Sequence, residues 1–269
     1  MPGEQGVGRP SPKTIGVPDV LFCLPFITAL RGVAGLNVVT DPPAALAHRL
    51  DARTLDAAFL SPIDYARNAS EYLIVPGSAV SSPEGNNSIV VHFRPGVRSV
   101  RTLAVPPTSA SDIILAKMLL AERFDLNPTM VPVIGSLAAM LERADAALLA
   151  GDAALRSASS HPNGLDLVEE WVIATDLPYV HGFWVCREGA LTEEEYRMIA
   201  AAPPRGHLSL GESEAAGALE EFSYTLSEEV REGIREFLRY AYYHGILLDV
   251  PDLRFYGSDE AAGPDPALN

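Results

Sequence analysis

The stretch that decides the fold is ADAALLAGDAAL, residues 144–155. It predicts a short buried strand, a tight Gly-Asp corner and the start of a helix. A similar stretch, LDAAFLSPIDYA, occupies residues 55–66. Both open on Asp-Ala-Ala, continue through an apolar pair to a polar corner, and lead into a helix. Strands that are apolar along their whole length are typical of parallel sheets covered on both faces.

These two units predict two α/β lobes, each presenting one corner to a shared cleft. Each corner precedes a helix, and helix N-termini carry unpaired N–H groups and a partial positive charge. Each corner is therefore a candidate anion-binding site. The alternative is that two alanine-rich strand–helix joints resemble each other through composition alone.

The composition is typical of a globular protein, with 269 residues of which 48% are hydrophobic and 20% charged. This length suits one large domain or two medium ones. A formal net charge of −15 argues against nucleic acid or an anionic membrane as a partner. The same charge repels an anionic ligand, so a site for one needs local donors such as backbone N–H groups or an arginine.

The two cysteines, Cys23 and Cys186, do not have the spacing of a metal site. Such sparse cysteine usage argues against a disulfide framework and fits a reducing compartment. The sequence shows neither a secretory signal nor an apolar run long enough to span a bilayer. We therefore predict a cytoplasmic protein, monomeric or homodimeric, with disordered tails at 1–13 and 258–269.

Strand-like and helix-like segments alternate along the chain, which predicts an α/β fold with mainly parallel sheets and helices on both faces. Turn-forming residues break this pattern after the strand-like segment 89–93, where we predict that the chain changes lobe. Lobe one then comprises residues 14–93 plus 186–257, and lobe two comprises residues 94–185.

Hydroxyl and amide side chains near predicted strand ends are candidates for binding a carboxylate. Thr108, Ser109 and Ser111 surround a predicted helix start, where side-chain and backbone donors meet, although an ordinary helix cap is the alternative. Asn87 and Ser88 precede a strand, and they equally suit a polar turn. The remaining candidate, which follows an apolar strand at the end where ligands bind in open α/β sheets, is Ser61.

Two residues are candidates for proton transfer. Asp152 occupies the corner of the second unit, although it suits helix capping equally well. His181 interrupts an apolar strand, where a neutral imidazole can act as a base or simply be a buried, hydrogen-bonded core residue. The sequence has no Walker loop and no G-x-G-x-x-G, H-E-x-x-H or G-x-S-x-G motif, which argues against those catalytic classes.

A series of short segments follows the order of a known family. The segments are Ile15-Gly16, Leu24–Phe26, Leu55–Ser61, Asp64–Asn68, Thr108-Ser109, Leu119–Phe124, Ala144–Leu148, Gly151–Leu155, Glu170-Trp171, Leu177–Val180 and Trp184. In this order, over residues 15–187, the chain resembles the chorismate dehydratases of the futalosine route to menaquinone. A weaker similarity continues in the final helix.

This resemblance implies a two-lobed fold of the type II periplasmic-binding-protein class, used inside the cell. It implies a lyase that removes water from chorismate to give 3-[(1-carboxyvinyl)oxy]benzoate, with no metal and no organic cofactor. Asp152 and His181 would then handle protons, and the hydroxyl and amide candidates would hold the carboxylates of the substrate.

The chain departs from the family pattern at three positions. Phe22 stands where the family usually has asparagine, Asp112 where it has a hydroxyl, and His181 where it has phenylalanine. The changes at Phe22 and Asp112 leave one alternative open, a non-catalytic cytoplasmic binding protein for a small carboxylate. A second alternative is the related 1,4-dihydroxy-6-naphthoate synthase, an enzyme of the same pathway that shares the fold.

Overall fold

The structure, a computed structural model, describes residues 11–106, 110–158, 160–161, 163–202 and 214–257. The strands found there are β1 (Lys13–Pro18), β2 (Leu36–Asp41), β3 (Ala57–Leu60), β4 (Tyr72–Ser82), β5 (Ile89–Phe93), β6 (Thr102–Val105), β7 (Thr129–Pro132), β8 (Ala146–Ala150), β9 (Leu165–Asp166), β10 (Tyr179–Arg187) and β11 (Ser223–Thr225).

The helices of the described ranges are α1 (Leu24–Leu30), α2 (Pro43–Asp51), α3 (Pro62–Ala66), α4 (Ala110–Phe124), α5 (Leu137–Arg143), α6 (Asp152–Ser157), α7 (Leu167–Thr175), α8 (Glu193–Ala200), α9 (Glu214–Glu220) and α10 (Glu228–Tyr243). A short 3-10 helix, Leu21–Cys23, precedes α1. None of these helices is both long enough and apolar enough to cross a membrane.

The strands form two sheets, which confirms the predicted α/β fold class. The first has the order β11-β4-β10-β3-β1-β2, and the second has the order β7-β6-β8-β5-β9. Both sheets are mixed rather than mainly parallel. The parallel pairs are β1–β2, β1–β3, β6–β7 and β6–β8, while β4, β5, β9, β10 and β11 pair antiparallel. Four of these strands, β4, β5, β9 and β10, are those on which the chain leaves one sheet or enters the other.

The predicted lobe boundaries are wrong for two strands. The strand Ile89–Phe93, assigned to lobe one, pairs with β8 and β9 in the second sheet. The strand Tyr179–Arg187, assigned to lobe two as far as residue 185, pairs with β3 and β4 in the first sheet. The chain therefore changes sheet in the polar turn before β5, and it returns between α7 and β10. Lys13, assigned to the N-terminal tail, is the first residue of β1; residues 1–10 and 258–269 lie outside the described ranges.

The two copies of the Asp-Ala-Ala motif have the same structural role. Each opens a strand that runs parallel to a neighbour, β3 beside β1 and β8 beside β6. Asp56 accepts a hydrogen bond from the N–H of Thr14 at 2.8 Å, and Asp145 accepts one from the N–H of Thr102 at 3.1 Å. The aspartate thus joins its strand to the start of the adjacent one, which argues for a structural repeat rather than a coincidence of composition.

The contact that Asp145 makes between β8 and β6 depends on pH. Hydrogen bonds from Arg101 and Thr102 and the charge of Arg94 hold the pKa of Asp145 below its ordinary value of about 3.9. A lowered pKa means that the folded state binds this proton more weakly than the unfolded state. The resulting stability is present above about pH 4 and is lost as the pH falls further.

We therefore expect Asp145→Asn to be less stable than the unchanged chain at pH 7, with the difference shrinking towards pH 3. The measurement is the urea midpoint of unfolding of both proteins at intervals between pH 3 and pH 7. A constant difference across this range would contradict the assignment.

The long helix α10 packs where the two sheets adjoin. Its apolar face contacts α3, α4 and β10. Trp171 of α7 is fully buried against it, with edge-on ring contacts to Phe237 at 5.7 Å and Tyr240 at 5.3 Å. The opposite face carries a network of Glu–Arg ion pairs three or seven residues apart. This packing supports β10, the strand that carries His181.

Candidate functional site

A cavity of about 360 Å³ lies between the two sheets. Its wall contains the residues that follow β1, β3, β6 and β8, together with the first residues of β5 and part of β10. Each of those first four strands makes a parallel pair, and the carboxyl ends of such strands are where ligands bind in α/β proteins. The volume falls within the range of small-molecule sites.

Ser61 lies on the cavity wall, as predicted for a residue at a strand end. Its hydroxyl caps α3 by accepting from the N–H of Asp64 at 3.4 Å, and it donates to Asp64 Oδ2 at 2.7 Å. Asp64 is 4% exposed, and burial raises the pKa of its carboxyl, opposed by Ser61 and by Arg67 at 3.1 Å. Ser61 therefore satisfies a buried acid in addition to facing the cavity.

Ser61→Ala is expected to lower the free energy of unfolding by about 1–2 kcal/mol, because it removes both a helix cap and a donor to a buried carboxylate. Ser136 provides a matched control, since it caps α5 through Ala139 at 3.4 Å at an exposed position. Ser136→Ala should cost less than Ser61→Ala in urea unfolding. Equal losses would show that the contact with Asp64 contributes nothing.

A chain of hydrogen bonds leads from Ser88 to His181. The Ser88 hydroxyl donates to Asn86 Oδ1 at 2.6 Å, and Asn86 Nδ2 donates to Ser82 Oγ at 2.8 Å. Ser82 Oγ lies 2.8 Å from His181 Nε2. All four side chains are buried, and both end residues, Ser88 and His181, line the cavity. The turn before β5 is therefore tied to the middle of the first sheet by side chains.

His181 is enclosed by aromatic rings. Its ring centroid lies 4.9 Å from those of Phe22 and Tyr179 and 5.3 Å from that of Phe222. Burial lowers the pKa of His181 to about 3. The imidazole is consequently neutral at pH 7 and binds a proton weakly, which disfavours the predicted role as a base.

Asp152 connects two helices that follow strands of different sheets, β1 of the first sheet and β8 of the second. Its Oδ1 accepts from the N–H of Leu21 at 2.8 Å, which joins the 3-10 helix after β1 to the first turn of α6. Arg156 lies 3.8 Å from the other carboxylate oxygen. The preceding residue, Gly151, has φ +57° and ψ −136°, and both residues line the cavity.

The N-terminus of α3, which is the corner of the first unit, is not open to an anion. Ser111 Oγ accepts from the N–H of Ile63 at 3.2 Å, and Ser61 Oγ accepts from that of Asp64. Side chains of the protein therefore already occupy the first N–H groups of α3. Ser111 is fully buried between α4 and α3 and does not line the cavity. Its neighbour Asp112 does, and its carboxylate accepts from the Tyr179 hydroxyl at 3.4 Å.

The predicted site residues are only partly brought together. Ser61, Ser88, Asp152 and His181 share the cavity wall. Asn87 is exposed and off this wall, in a left-handed conformation with φ +56° that directs its N–H to Asp166 at 2.7 Å. Two further candidates, Thr108 and Ser109, lie outside the described residues.

The sequence reasoning missed several residues of the site. It considered Asn86 together with the next two residues but selected only those two, and it placed Ser82 only in a turn. It gave Asp19 and Phe59 no role, although both of these line the cavity. The rule that ligands bind beyond the carboxyl ends of strands would have pointed to Asp19, which follows β1 directly. Nothing in the local pattern indicates that Ser82 contacts His181, 99 residues away.

Comparison with protein families supplies the identity that the geometry alone does not. The family described as menaquinone biosynthesis matches residues 14–203, about seven tenths of the chain. The chain belongs to the menaquinone biosynthesis family. This finding confirms the family that the ordered segments predicted, and the matched range contains every described residue of the cavity wall.

Solved structures share the fold of this menaquinone biosynthesis family member. Protein AF1704 from Archaeoglobus fulgidus is 18% identical, with a TM-score of 0.65 over 87% of this chain and 98% of that one. The alkanesulfonate-binding protein SsuA from Xanthomonas axonopodis pv. citri, bound to MOPS, is 14% identical, with a TM-score of 0.58 over 92% and 96%. The periplasmic aliphatic sulphonate binding protein SsuA from Escherichia coli is 13% identical, with a TM-score of 0.57 over 91% and 96%. These similarities confirm the predicted periplasmic-binding-protein-like fold.

Proposed function

We propose that this chain is a chorismate dehydratase, a lyase that eliminates water from chorismate to give 3-[(1-carboxyvinyl)oxy]benzoate. The observation that carries the proposal is the cavity between the sheets, in a chain of the menaquinone biosynthesis family. Its wall combines aromatic rings with a few polar groups, the usual composition of a small-molecule site.

Much of the driving force of this reaction lies in the substrate, so the main task of the protein is to position it. The ring hydrogen to be removed is acidified by conjugation with a carboxylate, and loss of the hydroxyl group makes the ring aromatic. In our proposal Asp152 accepts the ring proton, the C–O bond breaks, and the proton leaves with the hydroxyl group as water. Ser61, Ser88 and His181 face the substrate, and preorganised polar groups of this kind stabilise developing charge.

The sequence pattern predicts carboxylate contacts for further residues. Thr108 and Ser109 remain proposed contacts on that pattern alone, since they lie outside the described residues. Asn87 and Ser111 carry less support, because one is exposed and the other is occupied by a backbone N–H group. We further propose a cytoplasmic location, supported by the free cysteines Cys23 and Cys186.

Incubation of the purified chain with chorismate tests the proposal. We expect an aromatic product with the mass of chorismate minus one water, formed without added metal or cofactor, and much less of it with Asp152→Asn. If chorismate is recovered unchanged and does not raise the melting temperature, the assignment is wrong.

One observation favours a second candidate, a binding protein for a small carboxylate. Within the described part of the chain, the cavity wall carries the carboxyl groups of Asp19, Asp112 and Asp152 and no lysine or arginine. Such a wall does not balance the charge of a dianion such as chorismate, and it repels a ligand with a single carboxylate less strongly. A binding protein predicts a ligand-induced rise in melting temperature, because binding to the folded state alone stabilises it, with the ligand recovered chemically intact.

A further inference from the structure

The Ser88 end of the hydrogen-bond chain shows which group donates and which accepts at each step towards His181. A backbone N–H group can only donate, and that of Ser88 lies 3.2 Å from Asn86 Oδ1. The oxygen of the Asn86 amide therefore faces Ser88, and its nitrogen faces Ser82. Asn86 Nδ2 donates to Ser82 Oγ at 2.8 Å.

The bond that Ser82 accepts from Asn86 determines whether Ser82 donates to the imidazole or accepts from it. Its hydroxyl oxygen accepts from Asn86, so its single hydrogen needs an acceptor of its own. Within the described residues, the other group at hydrogen-bonding distance is His181 Nε2, at 2.8 Å. Ser82 is fully buried, and buried hydroxyl hydrogens are nearly always paired. Nε2 is therefore the acceptor, and the neutral ring carries its hydrogen on Nδ1.

The strand geometry places this ring at the cavity. The pairing of β10 with β4 shifts between Val180 and Gly182, so that His181 sits at an irregularity of the strand. Bulges of this kind re-aim side chains and are frequent next to active sites. His181 lines the cavity, and its Nδ1 has no hydrogen-bond partner among the described residues. Burial, which lowers the pKa of the ring to about 3, agrees with a neutral imidazole.

We infer that His181 presents Nδ1–H to the cavity as a hydrogen-bond donor, and that Asn86 and Ser82 are positioning residues that hold it in this tautomer. The ligand group that accepts this hydrogen bond is an oxygen with a free lone pair, such as a carboxylate, ether or hydroxyl oxygen. The tautomer is a property of the free protein, whereas the use of this donor on chorismate rests on the proposed function.

The direct test is the nitrogen NMR spectrum of the 15N-labelled full chain at pH 7. The signals of His181 are assigned among the six histidines by their loss in His181→Gln. We expect a protonated Nδ1 and an unprotonated Nε2. In Ser82→Ala, Nε2 loses its donor, and we expect the hydrogen to be shared between the two nitrogens or to move to Nε2.

Ser81→Ala is the matched control. Ser81 is the neighbour of Ser82 on the same strand and is equally buried, but its hydroxyl has no partner among the described residues. We expect the His181 signals of this variant to keep the pattern of the unchanged chain. A hydrogen on Nε2 in the unchanged chain would overturn the inference, as would an unaltered tautomer in Ser82→Ala. The first of these outcomes is readable even if Ser82→Ala fails to fold.

Calorimetric titration with 3-[(1-carboxyvinyl)oxy]benzoate separates this inference from the proposed function. Loss of one oriented donor should weaken binding about 10-fold in Ser82→Ala, and less than about 2-fold in Ser81→Ala. Equal affinities of the two variants would overturn the role of the donor. If the unchanged chain does not bind this compound, the proposed function fails, and the NMR result alone decides the inference.

Discussion

Tryptophan in place of Ala153 is expected to lower kcat/KM for chorismate by about 100-fold or more while leaving the fold intact. Ala153 is an exposed residue in the first turn of α6, and it lines the cavity. An indole placed there occupies space that a six-membered ring would need in a cavity of about 360 Å³. Because the position is exposed, the free energy of unfolding should change by no more than about 0.5 kcal/mol.

Ala52→Trp is the control for this experiment. Ala52 is also exposed, at the end of α2, and is not part of the cavity wall. We expect this variant to keep its activity and stability. Full activity of Ala153→Trp, measured beside it at saturating and at low chorismate, would mean that the reaction takes place elsewhere.

The largest loss of stability is expected for Gly182→Val. A Cβ atom on Gly182 would lie 2.4 Å from Cε1 of Phe59 and 2.7 Å from the backbone oxygen of Leu60. Phe59 is packed edge-on against Trp184, so it has little room to move, and the oxygen belongs to a paired strand. We expect a destabilisation of more than about 3 kcal/mol, at or above the upper end for overpacked cores.

Thermal and urea unfolding measure this loss, and Gly217→Ala serves as the control. Gly217 lies in α9, where an added Cβ meets nothing within 4 Å. That substitution should leave stability unchanged or raise it by about 1 kcal/mol, because alanine is the better helix former. A Gly182→Val protein as stable as the unchanged chain would show that β3 and β10 are less tightly packed than described.

The repeated unit could be predicted because its determinants are local. A run of apolar residues after an aspartate reads as a buried strand in either copy, and the structure gives Asp56 and Asp145 the same role at the start of that strand. The rule that ligands bind beyond the carboxyl ends of strands then places Ser61 and Asp152 at the site. Both line the cavity.

Sheet membership could not be predicted in the same way. The segment Ile89–Phe93 has the same apolar pattern whichever sheet it joins, and its assignment depends on pairing with β8, more than 50 residues away. The sequence also could not show which of two adjacent asparagines turns towards the protein interior. Asn86 turns inward and Asn87 outward because of the backbone conformation of the turn, where Asn87 has a positive φ that asparagine tolerates.

The role of His181 shows where local reasoning ends. A histidine within an apolar strand is compatible with a base, a donor or a core residue. The structure separates these possibilities through groups that are distant in sequence, since Phe22 and Phe222 bury the ring and Ser82 holds its Nε2. Burial disfavours the base, and the direction of the hydrogen-bond chain favours the donor.

The measurement that tests the central claim most directly is a crystal structure of the chain with 3-[(1-carboxyvinyl)oxy]benzoate bound. A second groove, of about 380 Å³, contains Arg67 and Arg254 and offers cations that the described part of the cavity wall lacks. We expect density for the ligand between the two sheets, with an oxygen at hydrogen-bonding distance from His181 Nδ1. Density in the groove of Arg67 and Arg254, with the cavity between the sheets empty, would contradict the account.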